Sequence, residues 1–491
     1  MRRWRRLRRP APAQETVVEQ VRAFYEAHPE GIAGAPRSRR YFHEYLARVL
    51  RARIPAGQRI LDVGCGSGDL LAALEPRRGV GIDLSGSAIA AARQAHPDST
   101  LSFHQGDGAD SALLRELGGP FDVVLMVNVV TTLADVQGAF EAIASVCHER
   151  TRVFVYSYSR LWQPVLRAAE MVGLKPRPPA EAWLPPEEVR NMLQLADYEV
   201  VRRDYQVVMP LYVPLLSDLV NRYAGHLPGV ELLSLMYGLV ARPAPRRPAG
   251  GKPPSVSVVI PCRNEAGHIE PLVQRLPDLA PGSEFLFVEG GSKDDTEEVI
   301  RKAIAAHPER RMRLLKQTGK GKGDAVRLGF AAVTGDVLAI LDSDMGVAPE
   351  DLDRFVDALA RGKGEFLNGS RLVYPMEGRA MRFLNLVANK MFALLFSWVL
   401  GQQVRDTLCG TKVLFRADYE QIAANRAYFG DFDPFGDFDL LFGAARLNLK
   451  IVDLPIRYHE RKYGETNISR FRHGMLLVAM SAFAARKLKF L

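Results

Sequence analysis

Short runs of apolar and β-branched residues alternate along most of the chain with longer amphipathic stretches. In the first half, these apolar runs occupy 59–65, 79–84, 101–106, 121–127 and 152–158. In the second half, they occupy 255–262, 284–290, 311–317, 336–344 and 364–370. Apolar runs of this length predict buried strands, and the stretches between them predict helices. The alternation therefore predicts two α/β domains, each built on a largely parallel sheet.

A proline- and glycine-rich stretch separates the two halves. The sequence ARPAPRRPAGGKPPS at 241–255 contains five prolines and two adjacent glycines, a composition that argues against a helix or a central strand. We therefore predict a flexible linker between two domains. The predicted boundaries are a basic disordered tail with a lead-in helix at 1–37, a first domain at 38–242, a linker at 243–254, a second domain at 255–470 and a basic amphipathic helix at 471–491.

The charge and cysteine patterns limit the class of protein. The net charge is +9, and six arginines lie in the first nine residues. Because basic residues concentrate at the two ends, the pattern argues against a nucleic-acid-binding protein. No apolar stretch follows the arginine-rich start, which argues against a signal peptide. The four cysteines have no zinc-site spacing, so a reducing cytoplasm fits best.

Two apolar segments bear on membrane contact. Residues 383–401 are apolar but interrupted by Asn385, Asn389 and Lys390, and the apolar run at 474–485 is only twelve residues long. Neither provides the 18 or so uncharged residues of a membrane-spanning helix. Both are consistent with buried core helices or with helices that lie in a membrane interface. The second interpretation predicts a protein held peripherally on an anionic membrane, at the inner face of the plasma membrane.

A glycine-rich turn marks the first candidate site. In LDVGCGSG, Asp62 precedes three glycines, Gly64, Gly66 and Gly68, and a second predicted strand ends at Asp83. Glycines let the backbone approach a ligand closely, and the helix that follows presents its N-terminus to an anionic group. The spacing G-C-G-S-G differs from the G-x-G-x-x-G of dehydrogenases, which disfavours a nicotinamide cofactor.

These motifs resemble the class I methyltransferases that use S-adenosylmethionine (SAM), over roughly 38–242. The resemblance implies a Rossmann-like fold with SAM as the cofactor. It places Asp62 near the methionine part, Asp83 at the ribose and Asp107 by the adenine. It also implies that Asn128, in the fourth strand segment FDVVLMVNVV, borders the site of methyl transfer.

The methyl-acceptor side carries a weaker signal. Tyr156, Tyr158 and Trp162 follow the fifth predicted strand and either line an acceptor pocket or belong to the core. No His/Glu pair stands out as a general base, although such a base assists many methyl transfers. An inactive SAM-binding or docking module therefore stays open for this half.

A pair of aspartates marks the second candidate site. Asp342 and Asp344 terminate the apolar strand VLAIL, where both carboxylates can reach one divalent ion. Mg²⁺ and Mn²⁺ prefer such oxygen ligands and commonly share substrate phosphates, and the ion stabilises a leaving nucleoside diphosphate. Lys320 and Lys322 lie in a glycine-rich turn before a helix, within reach of a phosphate.

The order of motifs resembles the family 2 inverting glycosyltransferases with the GT-A fold, over about 255–470. The resemblance implies a UDP- or GDP-linked sugar as donor, with Asp342 and Asp344 holding the metal. The residues implied on the donor side are Pro261, Asn264, Glu265, Glu289, Ser292, Lys322, Asp342 and Lys412. One departure concerns the second strand, which usually ends Asp-Asp-Gly-Ser and here reads Glu289-Gly290-Gly291-Ser292.

Later motifs resemble the branch that transfers sugars to polyprenyl phosphates, the dolichyl-phosphate mannosyltransferase type. GSRL at 369–372 implies Arg371 near a phosphate, and DTLCGTKVLF at 406–415 places Asp406 and Lys412 facing the site. RKYGETN at 461–467 implies Arg461 as a further phosphate contact.

The acceptor decides which residues act in catalysis. A hydroxyl acceptor needs a base, for which Asp437 or Asp439 in FGDFDLLFGA are candidates, although both are also suited to capping a helix. A polyprenyl phosphate is already anionic and needs cations instead, which Arg371, Lys412 and Arg461 can supply.

We therefore expect a bifunctional transferase. It combines SAM-dependent methyl transfer with metal-dependent transfer of a sugar to a polyprenyl phosphate or another glycolipid or glycan. The alternative is a glycosyltransferase acting on a soluble hydroxyl acceptor, with the first half serving as a SAM-binding or docking module.

Overall fold

A computed structural model describes residues 14–28, 37–173, 176–179, 181–245, 253–374, 383–429, 437–458 and 470–491. The chain divides into two compact units, Met1–Ala244 and Pro245–Leu491. Each unit contains one seven-stranded mixed sheet covered by helices. The prediction of two α/β domains is confirmed.

The first unit has the sheet order β3-β2-β1-β4-β5-β7-β6. Its strands are β1 (Arg59–Val63), β2 (Arg78–Asp83), β3 (Leu101–Gln105), β4 (Phe121–Val127), β5 (Cys147–Tyr158), β6 (Tyr198–Gln206) and β7 (Met236–Pro243). Its helices are α1 (Gln14–Ala27), α2 (Arg37–Arg53), α3 (Asp69–Ala73), α4 (Gly86–Ala95), α5 (Ser111–Glu116), α6 (Val136–Ile143), α7 (Gln163–Met171), α8 (Pro186–Leu195) and α9 (Leu216–Arg222).

The five predicted strands of this unit are present and parallel, whereas β7 runs antiparallel to both β5 and β6. Strand β7 was not predicted, because it runs into the proline-rich stretch. Ala241 and Pro243 belong to β7, so the interpretation of 241–255 as wholly linker is wrong at its start.

The second unit has the order β10-β9-β8-β11-β13-β12-β14. Its strands are β8 (Val256–Cys262), β9 (Glu284–Glu289), β10 (Met312–Lys316), β11 (Val337–Ile340), β12 (Phe366–Ser370), β13 (Lys412–Phe415) and β14 (Ile451–Pro455). Its helices are α10 (Ala266–Arg275), α11 (Thr296–Ala306), α12 (Lys322–Ala332), α13 (Leu352–Ala360), α14 (Phe383–Leu400), α15 (Arg416–Ala424), α16 (Asp437–Arg446) and α17 (Arg470–Ala484), which continues as a π-helical turn at Ala485–Lys489.

Alternate strand residues enter the two cores on opposite faces of each sheet, as the pleat of a strand requires. In β4, Val124 and Met126 join one core and Val123 and Leu125 join the other. Nearly continuous apolar strands follow from burial on both faces, which is why the strand signal was strong. Among the described helices, none has the length and hydropathy needed to cross a bilayer.

Candidate functional site

The carboxyl edge of the first sheet, where its parallel strands end, gathers the predicted cofactor residues. Asp62 lies in β1 and Asp83 ends β2, while Asp107 follows β3 and Asn128 follows β4. Because β1 to β4 are parallel, their carboxyl ends meet at this one edge. The four side chains that are distant in sequence are therefore neighbours in the fold.

The glycine turn after β1 is fixed against the end of β2. The Gly64 amide donates to the Ile82 carbonyl at 2.8 Å, and the Gly66 amide donates to an Asp83 carboxylate oxygen at 2.9 Å. Gly66 adopts a left-handed φ of 52°, and nothing lies within 4 Å of the position where its Cβ would be. A side chain there would strain the backbone and fill open space beside the site.

Two acidic side chains give this edge a negative character. Asp62 is buried, and burial together with the Asp83 carboxylate raises its pKa to about 7. Burial also raises the pKa of Asp83, against the amides of Ser85 and Gly66 that lower it. A cation between these carboxylates would favour their ionised forms. The sulfonium and ammonium groups of SAM therefore match this pair chemically.

Asn128 and Asp107 complete the set at the edge. Asn128 adopts a φ of 58°, its amide donates to the Tyr156 carbonyl at 2.8 Å, and its Oδ1 is buried with no hydrogen-bond partner among the described residues. A buried acceptor without a donor is costly, so a ligand hydrogen bond would stabilise it. Asp107 accepts from the Ala109 amide at 2.9 Å.

Helix α1 supplies one wall of this site, which the sequence analysis did not anticipate. A small pocket is lined by Val18 of α1 together with Leu84, Asp107, Ala109 and residues 132–135. Tyr25 of α1 is hydrogen-bonded to Thr132, and burial with the nearby Tyr158 and Asp83 raises its pKa to about 12.

The next residue of α1, Glu26, caps the N-terminus of α4. It accepts from the amides of Gly86 at 2.5 Å and Ser87 at 3.1 Å. The amphipathic pattern of 14–27 was the available signal, but it does not say what the helix covers.

The three aromatic residues after the fifth strand have different environments. Tyr156 is fully buried, with its hydroxyl beside Asp204 and Arg53, and is a core residue. Tyr158 lies at the carboxyl edge, 6.1 Å from the ring of Trp183. Trp162 donates from its indole to the Leu233 carbonyl at 2.8 Å. Tyr158 is the one of the three placed beside the predicted methyl-transfer site.

The carboxyl edge of the second sheet gathers the predicted donor and metal residues in the same way. The strands β8, β9, β11 and β12 all end at this edge, and the antiparallel β13 begins there. The predicted residues at this edge are Asn264 and Glu265 after β8, Glu289 at the end of β9, Asp342 and Asp344 after β11, Arg371 after β12 and Lys412 at the start of β13.

The loops after β8 and β9 bind each other through main-chain groups. Ser292 donates its amide to Glu289 at 2.5 Å and accepts from the Asn264 amide at 2.9 Å. Asn264 in turn accepts from the Lys293 amide at 2.7 Å and has a φ of 56°. Glu265 pairs with the buried His268 at 2.6 Å. Pro261, at the end of β8, accepts from the Ser343 hydroxyl through its carbonyl at 3.1 Å.

The candidate metal centre consists of Asp342 and Asp344, with the ammonium group of Lys322 beside them. Lys322 Nζ lies 2.6 Å from Asp342 Oδ1, and Asp344 accepts from the Gly346 amide at 3.0 Å. Burial alone would raise the pKa of Asp342, but the cations led by Lys322 hold it below its usual value. The described residues contain no group of three or more His, Cys, Asp or Glu side chains able to hold an ion. Two carboxylates fit an ion whose other ligands are phosphate and water, as is usual for Mg²⁺.

Gly410, which the motif DTLCGTK contains, lies against the candidate metal centre. A Cβ at this position would overlap the Asp342 carboxylate and the Lys322 ammonium. The chain therefore passes so close to the candidate metal centre that any side chain at position 410 would displace Asp342 or Lys322. The glycine in DTLCGTK was the available signal.

Arg371 and Asp406 form a buried, bidentate ion pair. Arg371 donates to the two Asp406 carboxylate oxygens at 2.7 and 2.9 Å, and its guanidinium lies 5.0 Å from the centre of the Tyr458 ring. Although burial opposes ionisation, Arg371 and Asn389 lower the pKa of Asp406 to about 2. Asp406 therefore orients Arg371 at the carboxyl edge, near Asp342, whose pKa Arg371 also lowers.

The remaining predicted catalytic and cationic residues are Lys412, Asp437, Asp439 and Arg461. Lys412 is buried and donates to the Cys409 carbonyl. Asp439 is buried, and its carboxylate accepts a hydrogen bond from Arg426 at 2.7 Å. The side chain of Asp437 and the whole of Arg461 lie outside the described residues.

The two halves of the chain match two family models. Residues 37–203 match the methyltransferase domain model, and residues 257–422 match the glycosyl transferase family 2 model. With the fold and the edge residues above, the chain contains a methyltransferase domain followed by a family 2 glycosyltransferase domain. The recognition made from the sequence motifs is confirmed.

Individual relatives share the glycosyltransferase character. The polyprenol monophosphomannose synthase of Mycolicibacterium smegmatis is 29% identical over 231 residues, covering 45% of this chain and 84% of the relative. Glycosyltransferase AglJ of Haloferax volcanii is 27% identical over 227 residues, covering 46% and 70%. Glycosyltransferase AglD of the same organism is 27% identical over 241 residues, and the match covers 48% of this chain but only 38% of AglD.

Solved structures resemble the chain only distantly. The glucosyl-3-phosphoglycerate synthase of Mycobacterium tuberculosis is 22% identical, covering 50% of this chain and 86% of that one, with a TM-score of 0.36.

Proposed function

We propose that the chain is a bifunctional transferase. Its second domain transfers a sugar from a UDP- or GDP-linked donor to a polyprenyl phosphate with inversion, and its first domain transfers a methyl group from SAM. The observation that carries the sugar-transfer proposal is the set of cations beside the aspartate pair. Lys322, Arg371 and Lys412 all lower the pKa of Asp342, so three positive charges converge on one carboxylate.

This arrangement suits an acceptor that is already an anion. A phosphate oxygen of the acceptor attacks the anomeric carbon while the bond to the nucleoside diphosphate breaks, and no proton has to be removed. Asp439, the base candidate whose side chain is described, is held by Arg426. Cations that position the acceptor phosphate and the leaving diphosphate therefore contribute more than a general base.

A divalent ion fits the same site. Asp342 and Asp344 would hold Mg²⁺ or Mn²⁺, and the ion would stabilise the negative charge of the leaving diphosphate. Lys322 Nζ lies 2.6 Å from Asp342 Oδ1 and partly neutralises the charge of this carboxylate. We expect Lys322 to move to the diphosphate when the ion binds.

The lipid acceptor is supported by two further features. The named relatives include a polyprenol monophosphomannose synthase, and others whose names specify transfer to undecaprenyl phosphate. Helices α14 and α17 pack one face into the core and expose Met391, Leu394, Met475 and Val478 on the other. Such faces suit peripheral attachment to the cytoplasmic surface of a membrane.

The methyltransferase proposal depends on the first carboxyl edge. The buried pair Asp62 and Asp83, the orphaned Oδ1 of Asn128 and the pocket beside Asp107 form a site suited to a ligand with cationic and purine parts. Asp62 would face the cationic end of SAM, and the open turn at Gly66 would admit the ligand beside Asp83.

The test compares the protein with Asp344→Ala and with a matched control, Asp357→Ala, an exposed aspartate on α13. Each is incubated with Mn²⁺, labelled UDP- and GDP-sugars, and vesicles containing polyprenyl phosphate. We expect label in the lipid for the protein and the control, and none for Asp344→Ala. Metal-dependent donor hydrolysis with no lipid labelling would instead favour a soluble hydroxyl acceptor.

A further inference from the structure

The methyltransferase domain exposes an unusual amount of apolar surface in two segments, 161–172 and 211–233. We call these segments together the apolar edge surface. Leu215 exposes 87% of its maximal accessible surface to solvent, and Met171 exposes 84%. Among the described residues from 14 to 245, Leu195 is the one exposed large apolar side chain outside these segments. Scattered exposed leucines are ordinary, but a concentration of this size marks a binding surface.

The apolar edge surface lies at the same edge of the sheet as the candidate SAM site. Strand β6 ends and β7 begins opposite each other, at Gln206 and Met236, and Met236 also pairs with Tyr158 at the end of β5. The 207–235 connection therefore leaves and re-enters the sheet at its carboxyl edge. The indole of Trp162 donates to the Leu233 carbonyl at 2.8 Å, which joins the two segments.

Helix α9, within the second segment, buries its uncharged polar residues and exposes leucines. Ser217 and Asn221 are buried, whereas Leu216 and Leu219 are exposed. The side-chain amide of Asn221 accepts from the Met209 backbone amide through Oδ1 and donates to the Met209 carbonyl through Nδ2, both at 2.8 Å. A helix that faces water normally shows the opposite arrangement. The polar side chains hold the segment to the domain, and the leucines are left for something apolar.

The charges and composition of the surface indicate its partner. Within the two segments and the first turn of α2, the exposed charged side chains are Arg37, Arg40 and Arg167, and the exposed Arg160 directly precedes the first segment. The partly exposed charged residues of the two segments are Glu170, Asp218, Arg222 and Glu231. Protein-binding hot spots are rich in Trp, Tyr and Arg and poor in Leu and Val. Leucine-rich faces bordered by arginine suit an anionic lipid surface.

We propose that the apolar edge surface lies against an anionic bilayer, so that the methyl acceptor is a molecule carried in that bilayer. This deepens, and rests on, the proposed SAM-dependent methyl transfer. The acceptor's reactive group would reach the edge from the lipid side, beside Tyr158. The surface is distinct from the exposed faces of α14 and α17, which belong to the other domain.

A thiol-linked, environment-sensitive dye tests the surface in the full chain. The dye is attached at Leu215→Cys and, as a matched control, at Leu195→Cys. The native cysteines interfere little, because Cys65, Cys262 and Cys409 are buried and burial raises the pKa of the half-buried Cys147 thiol to about 11. We expect phosphatidylglycerol vesicles to shift the emission to the blue at 215 but not at 195, with quenching by a lipid-borne quencher.

Vesicle binding without a signal at 215 would overturn the proposal, because it would assign all membrane contact to other surfaces. No binding at all would overturn it too, and would indicate a protein partner.

A second experiment separates this proposal from methyl transfer itself. Labelled SAM is supplied to the Leu215→Glu/Leu219→Glu variant and to Leu195→Glu, with vesicles made from a total membrane lipid extract. We expect the double variant to bind SAM normally but to transfer at least tenfold less label into the organic phase than the unsubstituted protein. The control variant should transfer as much label as the unsubstituted protein. Equal labelling by both variants would overturn the proposal that the apolar edge surface contacts the bilayer. Absence of labelling in every protein, with SAM bound, would overturn the lipid-borne acceptor and leave the SAM site intact.

Discussion

At the residue scale, the two sites depend on side chains whose roles come from their neighbours. Asp62 is an ordinary aspartate in the sequence, and its raised pKa comes from burial beside Asp83. Arg371 is an ordinary surface-type residue in GSRL, yet it forms a buried pair with Asp406, 35 residues later. The sequence predicted the residue types correctly, but pairings over such separations depend on the completed fold. Asp439 illustrates the same limit, because its partner Arg426 could not be predicted from spacing.

The raised pKa of Asp62 predicts a pH-dependent affinity for SAM. The folded carboxyl is protonated below pH 7, and only its ionised form attracts the cationic ligand. With a pKa of about 7, the dissociation constant for SAM should be about tenfold larger at pH 6 than at pH 8. Calorimetric titration at the two pH values measures the ratio. Asp62→Asn should bind more weakly at pH 8, with a flatter profile, and an unchanged profile in this variant would assign the titration to another group.

The same group predicts an effect on stability without ligand. Because the pKa of Asp62 is higher in the folded state than in the unfolded chain, the folded state binds the proton more tightly. Its contribution to stability therefore falls as the pH rises from about 4 to 7. Asp62→Asn removes the buried charge and should raise the melting temperature of the first domain at pH 8 but not at pH 4. An equal change at both pH values in thermal unfolding would point to packing instead.

Gly410 predicts a sharp loss of sugar transfer. In Gly410→Ala, the added methyl group overlaps the Asp342 carboxylate and the Lys322 ammonium, so one of them has to move. Displacement of a catalytic group by about 1 Å costs on the order of a hundredfold in rate. The measurement is label transferred to polyprenyl phosphate, with SAM titration of the same sample as the control for folding. Near-normal transfer would show that the loop at 410 adjusts freely.

At the element scale, the strands were predictable and the coverings of the sites were not. All ten strands expected from apolar runs are present. The signal was strongest for the central strands, because strands buried on both faces are nearly continuous in apolar residues. The antiparallel β13 was missed because it has four residues inside a functional motif. Helix α1 was expected as a lead-in helix, but its packing over the cofactor edge follows from Tyr25 and Glu26, whose partners lie far away in sequence.

Helix α1 predicts that residues outside the matched methyltransferase segment, 37–203, bind or position the cofactor. Tyr25→Ala opens the wall beside Asp83 and Thr132, and Glu26→Ala removes the cap from the N-terminus of α4. Each should weaken SAM binding by about tenfold, the scale of one lost hydrogen-bonded contact. Glu19→Ala, an exposed glutamate on the same helix, is the matched control. Equal affinity in all three variants would show that α1 only covers the domain.

At the scale of the whole molecule, the chain is two self-contained folds whose sites are each built from one unit. The residues of the candidate SAM site lie between 18 and 135, and those of the candidate sugar-transfer site between 261 and 458. A division of the chain between β7 and β8 was predictable, because proline and glycine concentrate there. What composition could not show is that apolar side chains are exposed in both units, since exposure depends on which face of a helix the core covers.

This division predicts that the two sites bind their ligands independently. Asp344→Ala should leave the dissociation constant for SAM unchanged, and Asp62→Asn should leave the rate of sugar transfer to polyprenyl phosphate unchanged, because neither residue belongs to the other unit. The measurements are SAM titration with and without donor and Mn²⁺, and sugar transfer with and without SAM. A change of more than about threefold in the dissociation constant for SAM would reveal a coupling free energy of about 0.7 kcal/mol, and linkage would then require SAM to change the dissociation constant of the donor by the same factor. On the proposed membrane surface, two domains that bind their ligands independently would still meet the same lipid-borne molecules at a raised local concentration.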